Sequence, residues 1–252
     1  MSWTARRSTA LTDFKYVGAE LDLFAAVHNW KSYWSRRIRP FVAGDVLEVG
    51  AGIGSNTPFL DPGGIGRWVC LEPDAGLAAQ LTANLKKAAS GRTRETVFGR
   101  LQDLDSEWEF DTILYIDVLE HIEEDREELA DAASRIRAGG RIIVVSPAHQ
   151  WLFSPFDAAI GHFRRYNRPM LRRITPPGLH LERLFYLDSA GLVLSSANLL
   201  LLRQSMPTKA QLSIWDGFVV PISRVLDRCL VNSVGKSIVG IWRRERDDPG
   251  SR

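Results

Sequence analysis

The sequence predicts a doubly wound α/β fold, and three observations support this prediction. Apolar runs of strand length alternate with segments of helical periodicity between residues 46 and 146. A glycine-rich stretch joins the first apolar run to a helix start. Acidic residues follow several of the apolar runs, at the edge of a parallel sheet where ligands usually bind. The chain of 252 residues is long enough for one large domain of this kind.

The composition is typical of a soluble globular protein, with 45% hydrophobic and 25% charged residues. A net charge of +2 is too small to argue for a nucleic-acid or membrane partner. Cys70 and Cys229 form no Cys-x-x-Cys pair, so we expect neither a zinc site nor a disulfide framework. No apolar segment follows Arg6 and Arg7, so no signal peptide is visible and we expect a cytoplasmic location.

A helix is predicted over residues 17–40, before the first strand. Apolar residues recur at steps of three and four from Leu23 to Ile38, and Pro40 ends the pattern. The aromatic residues of this helix, Trp34 among them, fit either a binding site or ordinary core packing.

The glycine-rich stretch follows the first predicted strand. Gly50, Gly52 and Gly54 stand at alternate positions, where glycine permits a positive φ and a close approach of the backbone to a ligand. Residues 56–58, Asn-Thr-Pro, predict a helix start immediately afterwards. A dinucleotide-binding fingerprint would need its last glycine at position 55, which is a serine.

The next elements continue the alternation of strands and helices. Asp74 is predicted to cap the helix after the second strand. Asp125 and Glu128 predict a capping box for the helix after the fourth strand, and Gly139 and Gly140 predict its end. The second to fifth strands are predicted at residues 67–71, 95–98, 111–116 and 141–146.

Three of these motifs resemble those of the class I S-adenosylmethionine (SAM) methyltransferases. They are the stretch from Glu48 to Gly54 with its pattern Glu-x-Gly-x-Gly-x-Gly, the acid Glu72 after the second strand, and Asp-Val-Leu-Glu-His at residues 117–121. The last motif is similar to that of small-molecule methyltransferases such as the ubiquinone-biosynthesis group. The resemblance covers residues 46–146. It implies a doubly wound, seven-stranded Rossmann-like sheet with an antiparallel last strand, with SAM as cofactor and S-adenosylhomocysteine as product.

The resemblance also implies a set of cofactor-binding residues. The glycine loop would hold the methionine part, an acid after the second strand the ribose, residues after the third strand the adenine, and residues after the fourth strand the wall beside the acceptor. In this order the residues are Glu48, Gly50, Ala51, Gly52 and Gly54; Glu72 and Pro73; Gln102, Asp103 and Leu104; and Asp117 and Val118.

The acceptor is expected just beyond the fifth strand, where titratable and aromatic residues are dense. A histidine can take a proton from a hydroxyl or an acidic carbon near neutral pH, so His162 is the first candidate base and His149 the second. The spacing of His149, Asp157 and His162 lacks a helical i, i+4 pair, so no metal site is expected. Asp117 completes the catalytic candidates, and the predicted acceptor-binding residues are Tyr166, Arg165, Phe153 and Trp34.

The C-terminal part predicts a sixth strand at residues 180–187 and a last strand at 237–244. An apolar insertion at 188–236 separates them and includes four consecutive leucines, Leu199–Leu202. This apolar stretch is too short to span a bilayer, which needs about 20 residues. Three alternatives remain for the insertion: a cap over an apolar acceptor, a homodimer contact, or a contact with a membrane surface. The whole chain is thus predicted to be one domain, with a lid helix at 17–40 and a core at 41–187.

The predicted function is transfer of a methyl group from SAM to an oxygen or carbon of a small or lipid-like acceptor. Nitrogen-directed enzymes often carry an Asn/Asp-Pro-Pro-Tyr motif after the fourth strand, and residues 117–120 differ from it. Nucleic acid is not expected as a partner, because the single basic cluster, Arg164–Arg173, is short. Two alternatives are a non-catalytic SAM-binding or scaffold protein and an NAD-dependent oxidoreductase, which Ser55 disfavours.

Overall fold

The computed structural model describes residue 16 and residues 21–61, 66–87, 94–198 and 208–246. A seven-stranded sheet in the order β3-β2-β1-β4-β5-β7-β6 forms its centre. Strands β1 to β5 are parallel, and β7 runs antiparallel between β5 and β6. The predicted fold class, with its antiparallel last strand, is therefore confirmed. The strands are β1 Val46–Val49, β2 Trp68–Glu72, β3 Arg94–Phe98, β4 Phe110–Ile116, β5 Ile136–Pro147, β6 Leu179–Leu187 and β7 Ser237–Arg244.

Helices cover both faces of this sheet. Short 3₁₀ turns lie at Arg39–Phe41, Leu101–Asp103, Leu119–His121 and Gln150–Leu152, and a π-helical stretch, Trp215–Val219, joins the last two α-helices. The α-helices in the described residues are α1 Leu21–Ala25, α2 His28–Ile38, α3 Thr57–Leu60, α4 Ala75–Lys87, α5 Asp125–Ser134, α6 Pro155–Ala159, α7 Arg168–Arg173, α8 Ser189–Ala197, α9 Lys209–Ile214 and α10 Val220–Cys229.

Two hydrophobic cores lie on the two faces of the sheet. Leu47 and Val49 of β1 belong to the core that α5 and α7 cover, whereas Val46 belongs to the core under α2 and α4. Both faces of the parallel strands are therefore buried, which explains why these strands appear in the sequence as continuous apolar runs. The carboxyl ends of β1 and β4, which are neighbours in the sheet, share one edge.

The predicted N-terminal helix is two helices in the structure, and its first residues, 17–20, lie outside the described residues. Helix α2 begins at His28 without a side-chain cap of its own. Instead, the carboxylate of Asp216 accepts hydrogen bonds from the backbone N–H groups of Asn29 (3.1 Å) and Trp30 (2.8 Å). The helix start is thus set by a residue far away in the sequence, which local periodicity cannot reveal.

The predicted end of the helix after β4 was wrong. Helix α5 ends at Ser134, and Gly139 and Gly140 lie within strand β5. Gly139 has a φ of 80°, and the pairing of β5 with β4 shifts register between Phe110 and Thr112. The two glycines therefore permit an irregularity at the start of a strand rather than ending a helix.

The predicted capping box of α5 was also wrong. Glu124 is the residue before the helix, and it has no side-chain cap hydrogen bond. The carboxylate of Asp125 accepts a hydrogen bond from Tyr166 Oη at 2.7 Å, and that of Glu128 accepts one from Tyr115 Oη at 2.8 Å. These two carboxylates accept hydrogen bonds from distant residues and therefore do not cap the start of the helix.

The π-helical stretch and α10 of the 188–236 insertion pack against α2. The rings of Trp30 and Trp215 lie 5.6 Å apart, and Tyr33 Oη donates a hydrogen bond to buried Asp227 at 2.7 Å. Within the described residues, no helix has both the length and the apolar character to cross a membrane; the predicted run Leu199–Leu202 lies outside them. The outward side of the insertion carries exposed apolar residues, namely Val193, Leu194, Ile214, Phe218, Ile222, Val225 and Leu226.

Candidate functional site

The glycine loop has the backbone conformation that its sequence predicts. Gly50, Gly52 and Gly54 have φ values of 62°, 56° and 75°. A Cβ on Gly50 would lie 2.7 Å from a methyl group of Val118, and one on Gly54 would lie 2.6 Å from a methyl group of Leu81. A Cβ on Gly52 would meet nothing closer than 3.8 Å. Two of the glycines are therefore required by packing, whereas a Cβ at the middle one would make only an ordinary contact with Leu21.

Glu72, at the end of β2, is joined to the glycine loop. Its Oε2 accepts a hydrogen bond from the Gly52 backbone N–H at 2.8 Å, and its Oε1 accepts one from the Asp74 N–H at 2.9 Å. An ionised carboxylate has about four acceptor positions, so two remain for the hydroxyls of a ligand. Burial raises the pKa of this carboxyl, and the two N–H donors oppose the rise. Asp74 also caps α4 through the Leu77 N–H, as predicted.

Glu48 lies beneath the loop, buried in β1. Its Oε2 accepts hydrogen bonds from Thr57 Oγ1 at 2.8 Å and from Trp68 Nε1 at 3.0 Å. Burial raises its pKa, which these hydrogen bonds oppose. Glu48 thus fixes the start of α3 beneath the glycine loop. Glu48 would therefore influence a cofactor by positioning the loop and not by contacting the cofactor itself. The predicted helix start at residues 56–58 is present, but Asn56 makes no side-chain cap.

Lys31 is a residue of this site that the sequence did not reveal. Its side chain is buried, and Nζ donates hydrogen bonds to Ser55 Oγ at 2.8 Å and to the Ser55 carbonyl at 3.3 Å. Burial lowers its pKa to about 8, and the charges of Asp117, Asp216 and Glu48 oppose this shift. A lysine in an amphipathic helix usually indicates the solvent-exposed face, so no local signal marks it.

Asp117 follows β4 in a strained conformation, with a φ of 55°. Its backbone N–H donates to the Val145 carbonyl at 2.8 Å, and its side chain is exposed to solvent. Surrounding protein nevertheless removes enough water to raise its pKa to about 6, against the charges of His162, Lys236 and Lys31. Asp117 is thus a solvent-accessible carboxylate that interacts electrostatically with Lys31 of α2 and with His162, the predicted base.

The predicted adenine-binding residues are largely engaged with other parts of the protein. Asp103 Oδ2 accepts a hydrogen bond from the Arg100 N–H at 2.8 Å, and Gln102 Nε2 donates to Glu128 at 2.8 Å. Leu104 is buried in a core. An adenine contact would therefore have to use the backbone here, or the remaining acceptor positions of Asp103.

His162 and Asp157, which the sequence placed in one loop, form a hydrogen-bonded pair. His162 Nδ1 lies 2.9 Å from Asp157 Oδ1. Arg165 donates to the same carboxylate from Nε at 2.8 Å and from Nη2 at 3.0 Å. Burial alone would raise the pKa of Asp157, but the hydrogen bonds from His162 and Arg165 hold it well below its usual range. Arg165, predicted to hold an acceptor, instead fixes this pair.

Glu120 and His121 lie next to His162, in the region where the acceptor is expected. Glu120 Oε1 lies 3.9 Å from His162 Nε2, and the His121 and His162 rings meet edge to face with centroids 4.5 Å apart. Burial lowers the pKa of His121 to about 4, to which the neighbouring His162 contributes. The Leu-Glu-His sequence contributed to the family resemblance, but it assigned these two residues no role.

Three predicted residues do not contribute side chains to this cluster. His149 Nε2 contacts the Gly235 carbonyl at 3.0 Å, and its ring stacks on Tyr186, so it lies beside β6 and β7. Tyr166 is fully buried with its hydroxyl on Asp125, and Trp34 is only 1% exposed in a core. The structure leaves neither aromatic side chain a surface for an acceptor, and we drop both substrate assignments. Phe153 is partly exposed and keeps its predicted role.

Comparison with known families gives a match over most of the region of resemblance. A family model described as "Methyltransferase domain" matches residues 47–142, which begin at β1 and end within β5. Dinucleotide-binding folds have a strand order of 3-2-1-4-5-6, so the antiparallel β7 between β5 and β6 also argues against an NAD-dependent oxidoreductase.

Several solved structures share this fold. A phosphoethanolamine N-methyltransferase of Haemonchus contortus is 12% identical with a TM-score of 0.59, over 90% of this chain and 58% of that chain. The cyclopropane synthase MmaA2 of Mycobacterium tuberculosis is 15% identical with a TM-score of 0.55, over 84% and 82%. The N-methyltransferase NodS of Bradyrhizobium japonicum is 12% identical with a TM-score of 0.55, over 87% and 97%. At such identities the likeness shows the fold alone.

Proposed function

Since this chain is a class I SAM-dependent methyltransferase, we propose that it transfers the methyl group to an oxygen or carbon of a small or lipid-like acceptor. One observation carries the proposal. The glycine loop after β1 and the titratable cluster after β4 lie side by side, and Val118 packs directly against Gly50. A cofactor held by the loop would therefore end beside Asp117 and His162.

The residues present fit the cofactor. Bound SAM supplies a methyl group on a positively charged sulfonium. The two remaining acceptor positions of Glu72, beside the Gly52 backbone, suit a ribose with two hydroxyls. Lys31, charged at neutral pH, suits the carboxylate of the methionine part. Asp117 suits the positive charge beside the acceptor.

The cluster after β4 favours oxygen or carbon as the acceptor atom. Residues 117–120 are Asp-Val-Leu-Glu, not the motif common in nitrogen-directed enzymes. A hydroxyl or an acidic carbon must lose a proton when it is methylated, and His162 is positioned to promote this loss. The Asp157 carboxylate can only accept a hydrogen bond, so His162 Nδ1 carries the ring proton that it donates. The lone pair of the His162 ring is therefore on Nε2. Phe153 and the insertion would supply apolar surface for the rest of the acceptor.

We further propose that residues 188–236 act as a cap, within a single domain over residues 1–252. The contacts of Asp216 and Trp215 with α2 support this, since they join the insertion to the helix that carries Lys31. The exposed apolar side of α8 and α10 supports an apolar acceptor, a homodimer contact or a membrane-surface contact equally well.

The test is calorimetric titration with SAM, S-adenosylhomocysteine and NADH, followed by detection of methylated product from hydroxylated, partly apolar compounds. Glu72→Ala should lose on the order of 1.5–3 kcal/mol of SAM affinity, because it removes a charged acceptor. Glu95→Ala, an exposed acid of β3, is the matched control and should bind normally. Unchanged affinity in Glu72→Ala would refute the ribose assignment.

The acceptor side is tested separately. His162→Ala should bind SAM normally but turn over at least about a hundredfold more slowly. Full activity of His162→Ala would remove this residue from the mechanism. SAM binding without formation of S-adenosylhomocysteine with any hydroxyl or carbon acceptor would reject the proposed acceptor class.

A further inference from the structure

Three side chains of the kind that bind metal ions converge beyond the end of β4. Glu120 and His121 belong to the 3₁₀ turn after this strand, and His162 comes from the loop after α6. The ligating atoms of the three residues all lie within 4.8 Å of one another. Phe163 N–H donates to the Glu120 carbonyl at 2.8 Å, which fastens the His162 loop to the turn. The three side chains therefore form one cluster on fixed backbone.

Glu120 contributes a buried oxygen that lacks a hydrogen-bond partner in the described part of the chain. Its side chain is 0% exposed, and no described residue makes a hydrogen bond with Oε1. The other oxygen, Oε2, accepts a hydrogen bond from Ser146 Oγ at 2.9 Å, which holds the carboxylate with Oε1 toward His162. Leaving a buried carboxylate oxygen unsatisfied is costly, so the arrangement indicates a bound group other than the described residues.

The outer nitrogen of His162 is occupied, which leaves the inner one available. Asp157 is an acceptor, so His162 Nδ1 carries the proton and Nε2 presents a lone pair toward Glu120. A carboxylate partner on the outer nitrogen is typical of a histidine that binds a metal with the other nitrogen.

We propose that Glu120, His121 and His162 bind one divalent first-row transition-metal cation, of the Zn²⁺, Mn²⁺ or Fe²⁺ class. Two imidazole nitrogens and one carboxylate oxygen are a ligand set that such cations prefer, and three protein ligands leave coordination positions open. The spacing of His149, Asp157 and His162 in the sequence predicts no metal site, and Glu120 and His121 were not part of that set. The tertiary structure brings together a different set, in which Asp157 only orients His162.

The catalytic part of this inference rests on the proposed function, and specifically on methyl transfer to an acceptor oxygen. A hydroxyl oxygen on an open coordination position would ionise more easily, because the cation stabilises the negative charge. The proton passes to water, an oxygen lone pair forms the new bond to the methyl carbon, and the carbon–sulfur electron pair stays on sulfur. His162 then promotes loss of the proton as a ligand of the cation, not as the direct proton acceptor.

The experiment measures metal binding on the tag-free, full-length protein without any acceptor. Wild-type protein, stripped with a chelator, is titrated with Co²⁺ and with Zn²⁺ in competition with a chromophoric chelator. We expect one Co²⁺ per chain with visible ligand-field absorption. Glu120→Gln and His162→Ala should each weaken binding by at least about tenfold. The control His180→Ala removes an exposed histidine of β6 and should bind like the wild type.

The outcomes separate this inference from the proposed function. Absence of stoichiometric binding, or equal binding by Glu120→Gln and the wild type, overturns the metal site. Normal SAM affinity of each variant shows that it is folded, and Glu120→Gln is nearly isosteric should His162→Ala fail to fold. Stoichiometric binding without methylation of any oxygen acceptor supports the metal site and rejects only the proposed reaction. Undiminished methylation by the chelator-stripped enzyme overturns the catalytic part of the inference.

Discussion

Replacing Gly50 by alanine tests whether the glycine loop is required by packing as well as by conformation. The φ of Gly50 is 62°, which lies in the left-handed region that costs an ordinary residue about 1–2 kcal/mol. The added Cβ would also lie 2.7 Å and 2.8 Å from the two methyl groups of Val118, so that Val118 must move. Overpacking of this kind typically costs about 1–3 kcal/mol.

The two costs together predict that Gly50→Ala lowers the free energy of unfolding by about 2–5 kcal/mol. Urea unfolding followed by circular dichroism measures this change directly. Gly217→Ala is the matched control, because a Cβ there meets none of the described residues within 4 Å. Gly217 lies in the π-helical stretch, so its replacement should be neutral or stabilise by up to about 1 kcal/mol.

A double variant separates the two causes. Val118→Ala in the Gly50→Ala background removes the methyl groups that the new Cβ meets, so it should recover part of the lost stability. The cost of the positive φ should remain, on the order of 1–2 kcal/mol. A loss below about 1 kcal/mol for Gly50→Ala alone, or no recovery in the double variant, would refute this account of the loop.

Two further predictions concern helix α2. Lys31 has a pKa of about 8 in the folded chain, against 10.5 for the unperturbed side chain, because of burial. Between these values the unfolded chain binds more protons, so the free energy of unfolding should rise with pH across this window, by up to about 1 kcal/mol per pH unit. Urea unfolding at several pH values should show a flatter profile for Lys31→Met, and identical profiles would contradict the burial of this charge. Asp216→Ala leaves the N–H groups at the start of α2 without their acceptor and should cost about 0.5–2 kcal/mol. Asp216→Asn should retain most of this stability, and equal losses in thermal unfolding would contradict the capping role.

Local patterns in the sequence were sufficient to predict the sheet and the glycine loop. Strands buried on both faces appear as continuous apolar runs, and a positive φ at alternate positions requires glycine, so both features can be recognised within a few residues. Glu72 could be placed for the same reason, since it is the last residue of such a strand. Local signals failed at Asp125, Glu128, Gly139 and Gly140, where side chains and backbone serve contacts with distant residues.

The sequence by itself determined the fold class, the cofactor class and the glycine loop after β1, because each depends on residues close together in the chain. Only the tertiary structure decided which side chains are accessible and which of them meet. It buried Trp34 and Tyr166, and it turned Lys31 inward to the glycine loop. It also brought His162 to Glu120, through a loop that returns over the end of β4. Burial and the pairing of distant residues arise when separate segments pack, so neither is visible in the periodicity of any one segment.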